Sequence, residues 1–323
     1  MAASPEHGYR LRARLHVANG KVGYYLEGTH TLCDAASTGQ LHADAVAAAD
    51  AVLTALGPSA RECLALVISE NVQATGRVIH LEPVDRAPLD HIADTLAGSK
   101  SHQLPNVSGI TMLVRGSLRT LWGSATVSDS AADVFGDHPA ASGVTWMRTA
   151  PPFFQGNRFL VGSLVQGVLR AARADRIVDL YAGVGLFSVA MAAAGARVLA
   201  VEGDRFAVAD LRTNAAPFDG RLEVSAVRVE EAVREVPDER PDVVVLDPPR
   251  TGASAETIEG VAAWNAPRIV YVSCDPPTLA RDAGRLANRG YRLLSLDAFD
   301  MFPNTPHVEA IATFVKSEPG VIS

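Results

Sequence analysis

The sequence has little cysteine, no long apolar run and no excess of positive charge. Each shortage excludes something. Cys33, Cys63 and Cys274 are the only thiols in 323 residues. Few, far apart and odd in number, they give no readable disulfide framework and fit a reducing cytoplasm. No stretch approaches the roughly 18 uncharged apolar residues of a bilayer span, so no membrane association is expected. Residues Met1 to Arg14 are polar and charged where a secretory leader needs an apolar core, so secretion is not expected. There is no repeat of about 20–50 residues and no long low-complexity tract. Lys and Arg number 29 against 36 Asp and Glu, a net charge of −7, which by itself argues against a nucleic-acid partner. What is present is the balance of a folded globular protein, 48% apolar and 20% charged. The length allows two domains at about 100–200 residues each.

The chain divides near Ala150-Pro151-Pro152, into an α+β domain over 1–150 and an α/β domain over 151–323. In the first half, Arg10–Val17 and Val22–Glu27 read as strands around an Asn19-Gly20 hairpin turn. Leu41–Leu56 reads as a helix stopped by Gly57-Pro58. Cys63–Ser69 and Gly76–Leu81 read as strands and Leu89–Leu96 as a short helix. Val107–Val114 and Arg119–Val127 form a second hairpin around Gly116. The second half alternates strand and helix, the mark of a parallel sheet covered on both faces. Strands are predicted at Arg176–Tyr181, Arg197–Glu202, Leu222–Ala226, Asp242–Leu246, Arg268–Ser273, Tyr291–Leu296 and Glu309–Lys316. Helices are predicted at Leu186–Ala194, Arg205–Ala215, Val229–Val236, Ala255–Trp264 and Pro277–Arg289. No helix of normal length fits between the last two strands, so the final strand is expected to be antiparallel. Open sheets of this kind bind ligands outside the carboxyl ends of their strands.

The first of these strands runs into Asp179-Leu180-Tyr181-Ala182-Gly183-Val184-Gly185. Glycines there let backbone approach a ligand and turn helix N–H groups toward it. About 20 residues on, Glu202 ends the next strand, where an acid can accept hydrogen bonds from ribose hydroxyls. The third glycine of a dinucleotide fingerprint is absent, because Ser188 occupies its place. That disfavours a nicotinamide cofactor. The Asp-x-x-x-Gly-x-Gly pattern resembles S-adenosylmethionine-dependent methyltransferases. Asp247-Pro248-Pro249-Arg250 follows the fourth strand, stiffened by its prolines. Cys274 follows the fifth, just ahead of a helix, where a helix N-terminus is expected to lower a thiol pKa from about 8.5. Glu309 opens the last strand, where partial desolvation would raise its pKa and suit proton abstraction.

Taken together these motifs resemble the RNA uracil-C5 methyltransferases, which make 5-methyluridine in tRNA and ribosomal RNA. The resemblance rests on Phe153-Phe154-Gln155, Asp179 to Ser188, Asp247 to Gly252, Ser273 to Asp282 and Asp300 to Glu309. It extends to Tyr9–Arg14 and to Gly23-Tyr24-Tyr25-Leu26-Glu27-Gly28. It implies a Rossmann-like sheet with a smaller N-terminal α+β domain, and S-adenosylmethionine as cofactor. It also implies Cys274 as the nucleophile on carbon 6 of uracil and Glu309 as the base at carbon 5. Gln155, Tyr181, Glu202 and Asp247 match positions around the cofactor and uracil; Asp179, Gly183 and Gly185 complete the cofactor set. Phe153 matches an aromatic that stacks on a base drawn out of the RNA. Arg281 and His307 lie inside the matching motifs.

Two departures from the family are expected to matter. Many members begin with a small β-barrel RNA-binding domain. This sequence starts after it, as a naturally short or shortened member. Many also hold an iron–sulfur cluster on four cysteines. Only Cys33 falls near such a position and Cys63 sits in an apolar run, so no cluster and no metal site are expected. RNA remains the expected partner, and the protein a monomer. Arg10, Arg12 and Arg14 alternate, which puts them on one strand face suited to phosphates; a solvated strand face is the plainer reading. Two other functions stay open. One is an N-methyltransferase working through Asp247-Pro248-Pro249-Arg250; the other is a catalytically silent RNA- or cofactor-binding protein.

Overall fold

The computed structural model describes all residues except 27, 86, 99–103, 105, 137–142 and 318–323. The chain forms two compact units. One comprises Pro5–Asp129 with Met147–Phe159; the other comprises Met1–Ser4, Ser130–Trp146 and Leu160–Ser323. The division predicted near Ala150 is therefore not a single crossing. The chain changes unit after Ser4, after Asp129, after Trp146 and after Phe159, so residues 147–159 group with the first unit.

The first unit is built on a seven-stranded sheet. Its order is Leu32–Asp34, Lys21–Tyr25, Arg12–Ala18, Cys63–Glu70, Arg77–Pro83, Gly109–Val114, Ser117–Gly123. Both predicted hairpin turns occur, with left-handed pairs at Asn19 (φ 52°) and Gly20 (φ 71°) and at Arg115 (φ 49°) and Gly116 (φ 80°). Two successive positive φ values match the twist of the flanking strands. The helix Ala43–Leu56 starts where the His42 side chain accepts from the Asp44 N–H, and ends at Gly57. It packs Ala45, Ala48, Ala49, Val52 and Leu56 with Leu15, Leu66, Ile68 and Ile79 of the sheet in one core. Three strand readings change. Arg12, not Arg10, begins the first strand, and Arg10 forms an isolated bridge to Asn157. The strand predicted over Val22–Glu27 ends at Tyr25, and Glu27 lies outside the described residues. The strand predicted over Arg119–Val127 is two, Ser117–Gly123 and Thr126–Ser130. It breaks at Gly123, which has φ 61° and no room for a Cβ, 2.2 Å from the Ser108 carbonyl oxygen.

Segment 147–159 is bolted to this unit by buried ion pairs. Arg148 donates to the Asp129 carboxylate and the Glu70 carbonyl, and stacks over Phe154 at 3.9 Å. Arg158 donates to the Glu70 carboxylate and to the Gly8 carbonyl at 2.8 Å. Arg77 shares the same Glu70 carboxylate. Buried charges are costly unless paired and hydrogen-bonded, and here each carboxylate meets a guanidinium.

The second unit contains α1 (Val161–Ala171), β1 (Arg176–Leu180), α2 (Leu186–Ala193), β2 (Arg197–Val201), α3 (Arg205–Ala215), β3 (Leu222–Ser225) and α4 (Val229–Ala232). It continues with β4 (Val243–Leu246), α5 (Ala255–Ala263), β5 (Arg268–Ser273), α6 (Pro276–Ala287), β6 (Tyr291–Asp300) and β7 (Glu309–Lys316). The sheet order is β6-β7-β5-β4-β1-β2-β3, and Ala2–Ala3 pairs with the end of β6. Strands β1 to β5 pair in parallel; β7 is antiparallel to both β5 and β6. All seven predicted strands occur, and residues 301–308 form no helix between β6 and β7. Helix α4 stops at Ala232 rather than Val236, and β6 runs on to Asp300. Helix α1 has no counterpart among the predicted elements. Its buried Val161, Leu164, Val165 and Val168 recur at helical spacing, a signal the sequence carries.

Candidate active site

Parallel pairing brings the carboxyl ends of β1, β2, β4 and β5 to one edge of the sheet. Leu180 pairs with Val201 and with Leu246, and Leu246 pairs with Tyr271. Tyr181, Glu202, Asp247 and Cys274 therefore leave the sheet on the same side. The reversed β7 brings its first residue to that edge as well. Ser273 pairs with Ala310, so Cys274 stands across from Glu309 in the register.

On the β1–β2 side, Asp179 is fully buried. One carboxylate oxygen accepts from the Ser188 hydroxyl, and the other, Oδ1, is buried with no hydrogen-bond partner. Burial first, with Glu202 nearby, pushes the Asp179 carboxyl up to about 7, against the opposing Ser188 bond. Ser188 thus has a task the missing third glycine could not perform. Glu202 accepts from the Gly183 N–H at 2.8 Å and from the Asp204 N–H at 2.7 Å, which fixes its carboxylate beside the glycine turn. Gly183 (φ 56°) has nothing within 4 Å of where a Cβ would lie; at Gly185 (φ 89°) a Cβ would meet Leu211 Cδ1 at 2.6 Å. One glycine keeps the turn open and the other lets α3 approach. Tyr181 follows the end of β1. Its hydroxyl lies 3.3 Å from Thr257 Oγ1 and 3.4 Å from Glu230, within the protein. A buried acceptor lacking a donor, beside an open glycine turn and a second fixed carboxylate, suits a ligand with an amine at one end and hydroxyls at the other.

On the β5–β7 side, Cys274 is half-buried and Glu309 is 2% exposed. The cysteine backbone is clamped by its neighbours. Ser273 Oγ donates to the Asp275 carbonyl at 3.1 Å and accepts from the Asp275 N–H at 3.2 Å. Asp275 caps α6 by accepting from the Thr278 N–H at 2.9 Å. The expected lowering of the thiol pKa does not occur. Burial first, then the Glu309 and Asp247 carboxylates, push Cys274 up to about 11, and the Arg250 charge only partly offsets them. Desolvation of a small thiol outweighs the partial charge of the helix end. Burial also holds the Glu309 carboxyl well above the usual carboxylate range, again opposed by Arg250. Arg250 does not stand out in the sequence as a functional group in its own right, yet its charge reaches both Cys274 and Glu309.

The remaining predicted residues lie in the first unit. Phe153 is 64% exposed, and Gln155 is buried. Arg12 and Arg14 alternate with the buried Leu11, Ala13 and Leu15, as expected. All three arginines are nonetheless engaged within the protein. Arg10 donates to Gln40 Oε1 at 2.7 Å, Arg12 to the Pro151 carbonyl at 2.8 Å, and Arg14 to Glu82 at 2.8 Å. Among the described residues, no group of three or more His, Cys, Asp or Glu is placed to hold a metal ion.

This sheet order, with its reversed β7 and the acid–glycine turn after β1, defines the Rossmann-like fold of the S-adenosylmethionine-dependent methyltransferases. Residues 235–317 match the model of the tRNA (Uracil-5-)-methyltransferase family, and residues 146–263 a methyltransferase small domain. An RNA methyltransferase of Thermotoga maritima, itself uncharacterized, is 36% identical over 229 residues, 68% of this chain and 49% of that protein. The 23S rRNA (uracil(1939)-C(5))-methyltransferase of Pseudomonas aeruginosa is 43% identical over 143 residues, 43% of this chain and 32% of that one. The fold is similar to that of Pyrococcus abyssi tRNA (uracil-54, C5)-methyltransferase, solved with S-adenosyl-L-homocysteine. The TM-score is 0.74 and the identity 23%, over 97% of this chain and 78% of that one. The chain is thus similar to the RNA uracil-C5 methyltransferases, with the family match falling on residues 235–317. It spans about a third to a half of the length of the first curated relatives it matches.

Proposed function

We propose that this chain transfers a methyl group from S-adenosylmethionine to carbon 5 of a uridine in tRNA or ribosomal RNA. The observation that carries the reading is the antiparallel β7, which sets Glu309 across from Cys274 at the edge that also bears Asp179, Glu202 and Asp247. Asp179, Gly183, Gly185 and Glu202 would hold the cofactor, with Tyr181 and Asp247 contributing from matching positions. S-adenosylmethionine, when bound, supplies an electrophilic methyl group. Carbon 5 of uracil is too weak a nucleophile by itself, and the Cys274 thiolate corrects this by bonding to carbon 6, which loads electron density onto carbon 5. Once carbon 5 is methylated it carries a proton that must leave. Glu309 takes it, and the electron pair of that C–H bond expels the Cys274 sulfur and restores the ring double bond. A raised carboxyl pKa makes Glu309 the stronger base when ionised. Phe153 offers an exposed ring on which an extruded base could stack.

The two groups act at opposite ends of this sequence, so their variants should differ. Cys274→Ala should abolish both methyl transfer and covalent RNA attachment. Glu309→Gln should still add and methylate, then stall as a denaturation-resistant adduct carrying the methyl group, because an amide cannot take the proton. Radiolabelled S-adenosylmethionine followed by a denaturing gel reads both. Full turnover by Cys274→Ala would refute the covalent route and favour amine methylation through Asp247-Pro248-Pro249-Arg250.

A further inference from the structure

Asp282 lies in the second turn of α6, past Cys274 and off the sheet edge, and it is fully buried. Its carboxylate gathers donors from three elements. Oδ2 accepts from the Tyr271 hydroxyl of β5 at 2.8 Å, from the Ala253 N–H at 3.0 Å and from Arg281 Nη2 at 3.0 Å. Oδ1 accepts from Arg281 Nε and Arg285 Nη1, both at 2.9 Å. The two guanidiniums then reach on into the loop after β4. Arg281 donates to the Thr251 carbonyl at 2.9 Å and the Ala253 carbonyl at 3.3 Å, and Arg285 to the Ala253 carbonyl at 3.3 Å. One turn earlier, Thr278 Oγ1 donates to the Arg250 carbonyl at 3.4 Å. Gly252 (φ 74°) completes the fit, since a Cβ there would stand 2.4 Å from Arg281 Nη2 and 2.6 Å from Asp282 Oδ2. Residues 250 to 253 are thus held to α6 at every carbonyl or N–H that these bonds name.

We infer that Asp282 is a positioning residue: through Arg281, Arg285 and Tyr271 it holds the loop that carries Arg250 against the helix that carries Cys274, and so keeps the Arg250 charge on the thiol. A carboxylate is the group the position needs. Five donors converge on it, three of them from two guanidiniums, and charge-assisted bidentate pairs of this kind are both stronger and more directional than neutral ones. An asparagine must turn its NH₂ toward one of the two donor sets and leave that set unmet. Among the described residues, Arg250 is also a cation acting on both Cys274 and Glu309 to favour their ionised forms. The inference rests on the proposed function only for what Cys274 does in turnover.

The test reads the thiol directly, without RNA or cofactor, so it can fail while that function stands, and the reverse. Iodoacetamide trapping of Cys274, followed peptide by peptide to separate it from Cys33 and Cys63, gives its rate against pH. Asp282→Asn should slow trapping at fixed pH by about threefold, equivalent to roughly half a pKa unit. Arg250→Ala should slow it by a similar factor. The double variant should be no slower than Arg250→Ala alone, because both act through one charge. Arg281→Met, at a half-exposed site, should repeat the Asp282→Asn effect and serves if that variant does not fold. Unchanged trapping in Asp282→Asn or in Arg281→Met would overturn the inference. So would losses that simply multiply in the double variant, since these would indicate a general loosening unrelated to Arg250.

Discussion

Asp179 is a carboxyl whose surroundings oppose its charge, and that has a consequence for stability. Its pKa is about 7 in the folded protein against about 3.9 in an unfolded chain. Between those values the folded state holds more protons than the unfolded one, so this group's contribution weakens as pH rises through the window. The melting temperature should therefore fall from pH 5 to pH 8 more steeply in the natural protein than in Asp179→Asn. Equal slopes would show that Asp179 ionises normally. Both oxygens of Glu202 accept backbone N–H bonds. Glu202→Ala should weaken S-adenosylhomocysteine binding by about 1.5–3 kcal/mol, the range for hydrogen bonds to a charged group, as calorimetry would register. Tight NAD binding with no response to S-adenosylhomocysteine would refute the cofactor assignment. Cys274 and Glu309 both have raised pKa values, and the proposed mechanism uses both in ionised form, so on that mechanism methyl transfer should increase steadily from pH 6 to pH 9.

The turn between β1 and α2 shows how two glycines of one motif answer different constraints. Both have positive φ, which costs a side-chain-bearing residue about 1–2 kcal/mol. At Gly183 that is the whole cost to the fold, since the space is open. At Gly185 a methyl group also collides with Leu211 of α3, and overpacking adds about 1–3 kcal/mol. Gly185→Ala should lower unfolding stability by clearly more than Gly183→Ala, measured by denaturant titration. Equal losses would mean that α3 moves aside freely. Trp146 braces the same turn by donating from Nε1 to the Gly185 carbonyl at 3.1 Å.

At the scale of the whole chain, the net charge of −7 and the internal engagement of Arg10, Arg12 and Arg14 bear on RNA affinity. Arginines already bonded to Gln40, Pro151 and Glu82 have less to offer phosphates. RNA binding should accordingly be modest, and whatever affinity phosphate contacts do carry should be lost as salt rises. Filter binding between 50 and 200 mM salt, at roughly those values, would test this; tight, salt-insensitive binding would contradict it. Protein purified without oxygen should show no iron–sulfur absorbance, and stoichiometric iron and sulfide would overturn that expectation.

The sequence by itself determined the periodic parts of the molecule. Alternating β and α segments, the Asn19-Gly20 and Arg115-Gly116 turns and the acid–glycine motif follow from local patterns that short stretches of chain impose on themselves. The same holds for Cys274 at a strand end and Glu309 at a strand start. Tertiary structure decided what depends on burial and on partners distant in the chain. Cys274 carries a raised pKa because partial burial, and then two nearby carboxylates, oppose its charge, which outweighs the helix end read from sequence. Tyr181 turns its hydroxyl to Thr257 and Glu230, and Arg14 spends its charge on Glu82, since acceptors far along the chain happen to lie within reach. Asp282 illustrates the point most plainly. Its motif places it on the helix after Cys274 but says nothing of what it meets; folding surrounds it with donors from β5, from α6 and from the loop after β4, because long-range packing sets which buried polar groups must meet.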